Sequence, residues 1–463
     1  MLTLLIVVFI IGYLAIALEH PLKIDKTASA LLLGMTMWVI YSIGADSIVP
    51  AVSGEKFAMF LNDNPTLKSA SLHTQSLQYI LQVDIVEHLG DICQTLLFLI
   101  GAMTIVEVID VHGGFRIITE RITTRRKVRL LWVISFTTFF MSAVLDNLTT
   151  SIVMIMLLRK LIANKQERWL YAAIIVIAAN SGGAWSPIGD VTTIMLWVGG
   201  NVTTPNLISY VLLPSLVSMV VPVWLVARKI KGDLPPIVEN VSPLKEISNG
   251  ERNTIFFLGV AALLFVPVFK SITHLPPFVG MLFSLGVMWV FTEIFYNSKS
   301  LQQSREQRIP KVISRVDMPS ILFFLGILMA VAVLQSTGLL SSLALTLDTH
   351  VHNVYIIDTI LGILSSIVDN VPLVAASMGM YPVEMGEVTG YAANFVVDGT
   401  FWELLSYCAG VGGSILIIGS AAGVIAMGLE KINFGWYLRN FSLLALAGYL
   451  AGVVVYIAEK LIY

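Results

Sequence analysis

The chain reads as an all-α polytopic membrane protein made of two inverted repeats, with about ten transmembrane helices, two re-entrant helical hairpins and discontinuous helices at an ion site. Composition, the spacing of apolar runs and the side on which basic residues collect predict it. Of 463 residues, 56% are hydrophobic and 13% charged, with a mean hydropathy of +0.84, whereas a soluble domain carries about a quarter charged residues. A water-soluble fold is excluded, the lipid bilayer is the expected surroundings, and nothing suggests a nucleic-acid partner. Cys93 and Cys408 sit in or beside apolar runs without metal-ligand spacing, so no disulfide framework, zinc site or cofactor is indicated.

Stretches able to cross a ~30 Å hydrocarbon core occur at 1–18, 28–48, 94–111, 169–200, 206–228, 253–270, 277–296, 318–337, 401–428 and 436–460. The first lacks a basic leader and reads as a retained helix rather than a cleaved signal. Two more apolar segments, 129–160 and 352–378, are interrupted by Asp146-Asn147 and Asp369-Asn370. Their arms are expected to fall short of the ~20 residues a crossing needs, which makes them re-entrant hairpins. Tryptophans 38, 132, 197, 289, 402 and 436 near segment ends fit an interfacial belt.

Charge orients these elements, because short cytoplasmic loops concentrate Lys and Arg. Segments 19–27, 112–130, 159–168, 228–252, 297–317 and 429–439 hold 24 of the 28 basic residues, and all six fall on one side of a ten-crossing layout. The first hairpin has basic loops on both flanks and enters from the cytoplasm. Residues 338–400 carry no Lys or Arg, so the second hairpin enters from outside. Both termini are then expected on the outer side of a bacterial inner membrane.

Internal repetition supports this layout. Thr95-Leu-Leu-Phe-Leu-Ile-Gly101 matches Ser320-Ile-Leu-Phe-Phe-Leu-Gly326, Ser142-Ala-Val-Leu-Asp146-Asn147 matches Ser365-Ser-Ile-Val-Asp369-Asn370, and Gly182-Gly183 with Gly189 matches Gly412-Gly413 with Gly419, at offsets of 225, 223 and 230. Five crossings per half is an odd number, so the second copy starts on the opposite face. Residues 1–228 form the first repeat, 229–252 a cytoplasmic linker and 253–463 the second repeat. Inverted repeats with broken helices are the usual build of secondary transporters, with the ion site at the repeat interface.

The candidate ligands lie at the breaks. The first hairpin offers Ser142, Asp146, Asn147, Thr149 and Thr150; a carboxylate in the membrane needs a cation, a proton or a polar partner. Carbonyls freed where a helix stops, joined by carboxylate, amide and hydroxyl oxygens, suit a small hard cation. Alternatively Asp and Asn only cap the second arm, but their recurrence at Asp369-Asn370 favours a site, with sodium held between Asp146 and Asp369. The Gly/Pro-broken stretch Asn180-Ser181-Gly-Gly-Ala-Trp-Ser186-Pro187-Ile-Gly-Asp190 has as its counterpart a run in which Gly410 replaces Asn180 and Ser420 replaces Asp190, with Ser414 between. The site is therefore expected to be asymmetric, with most acidic ligands in the first half. Ser366, Glu107 and Glu403 are secondary candidates; the two glutamates sit near segment ends, where they could instead reach the interface or, for Glu107, pair with a loop arginine.

With these motifs in view the chain resembles the NhaD-type sodium/proton antiporters, relatives of arsenite permeases, citrate carriers and sodium/dicarboxylate symporters. The residues that carry the resemblance are Ser142-Ala-Val-Leu-Asp-Asn-Leu-Thr-Thr150, the run from Asn180 to Thr193, and Ser366-Ile-Val-Asp-Asn-Val-Pro372. It implies exchange of cytoplasmic sodium or lithium for external protons, and a homodimer in which a transport domain holding both hairpins moves against a fixed scaffold. Dicarboxylate symporters of that group carry Ser-Asn-Thr at the hairpin tips; the acidic Asp-Asn-Leu-Thr and Asp-Asn-Val-Pro here suit cation and proton competition and disfavour an anionic substrate. A coupled anion carrier, a channel and an intramembrane aspartyl protease, the last faintly suggested by Ile188-Gly189-Asp190, are the weaker alternatives.

Overall fold

The computed structural model describes residues 1–17, 22–234, 248–296, 308–367, 370–386 and 388–462. Asp369 of the predicted site lies outside the described residues. The main helices are α1 (Leu2–Ala17), α2 (Lys26–Ile43), α3 (Ala45–Val52), α4 (Gly54–Asp63), α5 (Leu72–Tyr79), α6 (Ile85–Val111), α7 (Lys127–Leu145), α8 (Asn147–Leu161), α9 (Lys165–Gly183), α10 (Val191–Val198), α11 (Thr204–Ala227), α12 (Asn249–Thr273), α13 (Pro277–Tyr296), α14 (Met318–Ser336), α15 (Leu339–His350), α16 (Val354–Leu364), α17 (Asn370–Met380), α18 (Thr400–Gly412), α19 (Ala421–Glu430) and α20 (Leu443–Ile462). The chain is an all-α, multi-pass membrane protein.

Among the described residues eight helices are long and apolar enough to cross a membrane. Seven coincide with expected crossings. The eighth is α7, whose 19 residues correct the expectation that both arms of the first hairpin are short: the break at Asp146 comes late in the segment, and only the return arm α8, with 15 residues, is too short to cross. The crossings expected at 169–200 and 401–428 are each split by a non-helical break, into α9 with α10 and α18 with α19. Helices α3 to α5 and α15 lie wholly or mostly outside the crossings and hairpins expected from sequence.

The chain forms two compact units. One comprises Met1–Leu97, Asp317–Asn353 and Val371–Pro382; the other comprises Phe98–Val316, Val354–Asn370 and Val383–Tyr463. Each unit draws on both halves of the chain, and the boundary falls at the start of α17. In the first unit α2 crosses α14 at a glycine pair: a Cβ on Gly34 would sit 2.4 Å from the Gly326 carbonyl oxygen. Small residues let membrane helices approach until backbones touch, and Trp38 donates its indole N–H to the Met329 carbonyl at 3.0 Å across this contact.

In the second unit α9 and α18 are enclosed by protein. Every residue from Tyr171 to Gly183 is buried, as is every residue from Phe401 to Gly412. Helices apolar on all sides belong inside a bundle. Close approach again depends on glycine: a Cβ on Gly182 would lie 2.1 Å from the Phe139 carbonyl oxygen of α7, and one on Gly412 would lie 2.0 Å from the Gly362 carbonyl oxygen of α16. Trp197 and Trp402 are also fully buried, Trp402 donating to the Phe395 carbonyl at 3.0 Å. These two anchor the core instead of joining an interfacial belt, because their segment ends are covered by protein.

Candidate ion site

The first arm of each hairpin is fastened to the broken crossing beside it by a serine. Ser142 Oγ of α7 donates to the Ala179 carbonyl at 2.6 Å, and Ser365 Oγ, just after α16, donates to the Ala409 carbonyl at 2.8 Å. Ser186, in the first break, donates to the Ala143 carbonyl. The breaks are thereby brought against the hairpins, and the short helices beyond them begin with matching caps: Asp190 (φ −148°, ψ 150°) heads α10 and Ser420 (φ −146°, ψ 154°) heads α19. Oxygen side chains at such positions satisfy N–H groups that the first helical turn leaves without partners.

Asp190 is the centre of a buried polar cluster. Its Oδ2 accepts from Asn147 Nδ2 at 2.8 Å and from Asn370 Nδ2 at 3.4 Å, so both hairpins present an amide to one carboxylate. Asn147 also donates to Asn180 Oδ1 at 3.2 Å, while Asn180 Nδ2 donates to Ser414 Oγ at 3.0 Å and Ser420 Oγ at 2.8 Å. The predicted residues Asn147, Asn180, Asp190, Asn370, Ser414 and Ser420 therefore meet in one network, and all six are buried. Among the described residues Thr150 and Ser151 of α8 and Thr192 of α10 are buried hydroxyls without a hydrogen-bond partner, a condition that a bound ion or water would relieve.

Other predicted residues serve differently. Asp146 turns back onto its own helix, with Oδ1 accepting from the Thr149 amide at 2.8 Å and Oδ2 from Thr149 Oγ1 at 3.0 Å. It is half-buried, and its backbone (φ 70°, ψ 161°) lies where side-chain-bearing residues are strained by roughly 1–3 kcal/mol, a cost typical of functional sites. Ser181 faces α11 and accepts from Ser218 Oγ at 2.8 Å. Ser366 Oγ donates to the Ile363 carbonyl at 2.7 Å, within its own turn. Glu107 lies 4.0 Å from the Arg315 guanidinium, the pairing with a loop arginine foreseen as its alternative. Glu403 is fully buried, bound by Lys460 at 2.8 Å and Tyr456 Oη at 2.6 Å, which makes it a structural tie rather than an interfacial end group.

Against this geometry, the CitMHS family, described as citrate transporter, matches residues 6–397. Sodium/proton antiporter 2 of Arabidopsis thaliana is 42% identical over 454 residues, 97% of this chain and 98% of that protein. The Na(+)/H(+) antiporter NhaD of Vibrio parahaemolyticus is 31% identical over 380 residues, 76% of this chain and 86% of that protein. The chain belongs to the CitMHS family and is an NhaD-type ion transporter. NhaD of Vibrio cholerae serotype O1 is 28% identical over 492 residues, 96% of this chain and 98% of that protein.

This NhaD-type chain also uses a residue that the sequence reading passed over. Glu430, buried at the end of α19, accepts from Arg159 at 2.7 Å and Arg168 at 2.9 Å, and its carbonyl accepts from the Trp169 indole at 2.9 Å. The clamp joins the base of the first hairpin to the short helix of the second broken crossing. Removing both arginines would leave the buried Glu430 carboxylate uncompensated, at about 3–5 kcal/mol.

Proposed function

We propose that this chain is a secondary transporter that exports sodium or lithium in exchange for external protons, and that Asp190 is the carboxylate for which cation and proton compete. The observation that supports this most is the joining of Asn147 and Asn370, one from each hairpin, on a single Asp190 oxygen. Occupancy of that carboxylate is thereby linked to the position of both hairpins. Sodium would draw on the Asp190 carboxylate and the amide and hydroxyl oxygens around it; a proton would neutralise the same carboxylate. Asp146 and Asp369 are taken as the companion carboxylates of the two hairpin breaks. If the site moves only when loaded with one ion or the other, exchange follows without leak. The names of the Arabidopsis and Vibrio relatives agree with this reading.

The remaining features of the proposal rest on the sequence pattern. The basic loops favour both termini on the outer side of a bacterial inner membrane, the internal matches favour inverted repeats, and the family resemblance implies a homodimer. A second reading, transport of citrate or another anion, follows from the family's description; the carboxylate at the centre of the cluster opposes it. Everted vesicles energised to an acid interior distinguish the two. Sodium or lithium should dissipate the gradient while potassium and citrate do not; dissipation by citrate with no response to sodium would replace antiport by anion carriage.

A further inference from the structure

Asp358 has no part in the cluster around Asp190, yet it is fully buried in α16, the first arm of the second hairpin. Among the described residues neither of its carboxyl oxygens has a hydrogen-bond partner. It is the only charged residue of α16. The titratable groups facing it are Cys408 of α18 with Tyr449 and Tyr456 of α20. These groups are occupied elsewhere or apolar in character. Tyr449 Oη donates to the Thr359 carbonyl at 2.8 Å, Tyr456 Oη to Glu403 at 2.6 Å, and Tyr407 Oη of α18 to the Tyr449 carbonyl at 2.8 Å. Glu403 is the acid of α18, and the sole basic residue of α20, Lys460, is held by it at 2.8 Å.

A bare carboxylate in such surroundings costs several kcal/mol, more than a stable fold readily tolerates without a counter-charge or donors. A neutral acid carries no such cost. Nor does the architecture need a carboxyl here. At the repeat offset of 223 the first hairpin has Ser135, buried as well, whose hydroxyl is satisfied by the Leu131 carbonyl of its own helix at 2.7 Å. The contact between α16 and α18 is built on bare backbone, Gly362 against Gly412. Apart from the single Ser365 hydroxyl bond to the Ala409 carbonyl, among the described residues no side chains interlock at that point, so exchange of that one bond lets the two helices shift by small sliding, one of the standard ways packed helices rearrange.

We propose that Asp358 is a second proton-binding carboxyl of the transport cycle, separate from the Asp190 cluster, loaded while it is buried and discharged when sliding of α16 against α18 admits water. The balance is simple: one proton leaves the carboxyl oxygen for water, and the carboxylate that remains is stable only while hydrated. Its role in transport rests on the antiport reading above; its protonation does not.

The test uses the purified full-length chain in two readouts, with Asp358→Asn and Asp358→Ser beside the unaltered protein, the serine variant copying the first hairpin. Infrared spectra at neutral pH should contain the carbonyl band of a protonated carboxylic acid that both variants lose. In proteoliposomes, both variants should still exchange sodium for protons, with the proton-to-sodium ratio lowered by a single proton. Absence of an acid band assignable to Asp358 overturns the proposal, whether or not the protein transports sodium. Variants that exchange at the unaltered ratio overturn it as well. If the unaltered protein shows the band but exchanges no sodium, the antiport reading fails and the assignment of Asp358 to the transport cycle fails with it, while a missing band in a working antiporter condemns Asp358 alone.

Discussion

The two broken crossings share a backbone and differ in chemistry. In both, a serine of the neighbouring hairpin arm bonds the carbonyl three residues before the first glycine of the break, Ala179 before Gly182 and Ala409 before Gly412. In both, that glycine lies flat against the hairpin backbone, and an oxygen side chain caps the short helix beyond with φ and ψ alike to within a few degrees. Yet the first crossing carries Asn180 and Asp190 where the second carries Gly410 and Ser420. A hydroxyl is evidently enough to cap such a helix. The carboxylate of Asp190 is therefore surplus to the architecture, and a buried charge that the fold does not require points to chemistry.

Substitutions that break this comparison should separate charge from shape. Asp190→Asn keeps a capping oxygen and removes the charge; sodium-driven proton movement in everted vesicles should be lost, with expression unchanged. Asp146→Asn should likewise abolish transport while the protein still inserts, since asparagine caps a helix about as well as aspartate; full activity would leave Asp146 a cap only. The glycines probe the shared backbone. Gly182→Ala and Gly412→Ala should each destabilise by about 1–3 kcal/mol through overpacking, lowering the thermal midpoint in detergent to a similar degree in both halves.

Smaller effects should follow from the amides and hydroxyls. Asn147→Ala leaves an Asp190 oxygen without its shorter donor, a loss of about 1–3 kcal/mol, and should raise the half-saturating sodium concentration by roughly tenfold or more. Ser420→Ala removes a cap whose loss costs about 0.5–2 kcal/mol together with one hydroxyl of the network, so stability should fall and sodium affinity should change less than in Asn147→Ala. An unexpectedly large transport defect there would show that the second crossing contributes more to ion binding than its neutral side chains imply.

Much of this was legible in the chain. The breaks and the asymmetry between Asn180 with Asp190 and Gly410 with Ser420 follow from glycine spacing and from the match between halves, whereas Ser142, read as an ion ligand, instead ties its arm to the Ala179 carbonyl. Which of two adjacent residues enters the site was not legible. Asp146 and Asn147 sit at a helix start, where one backbone angle decides that the amide turns inward and the carboxylate onto its own helix. The Glu430 clamp was hidden because its partners are more than 260 residues away in the chain. Helices α3 to α5 were missed because their mixed polarity lacks the apolar length that marks a crossing, and Asp358 because a single acid in an apolar arm does not reveal whether it finds a partner.

Competition for one carboxylate is measured most directly by proton release. Purified protein in weakly buffered detergent solution, titrated with sodium near neutral pH, should release protons as sodium binds. Half-saturation should move to higher sodium as the pH is lowered, because a protonated Asp190 must first give up its proton, and Asp190→Asn should release none from this site. Sodium binding without proton release, or equal release from Asp190→Asn, would contradict the assignment of Asp190 as the shared site.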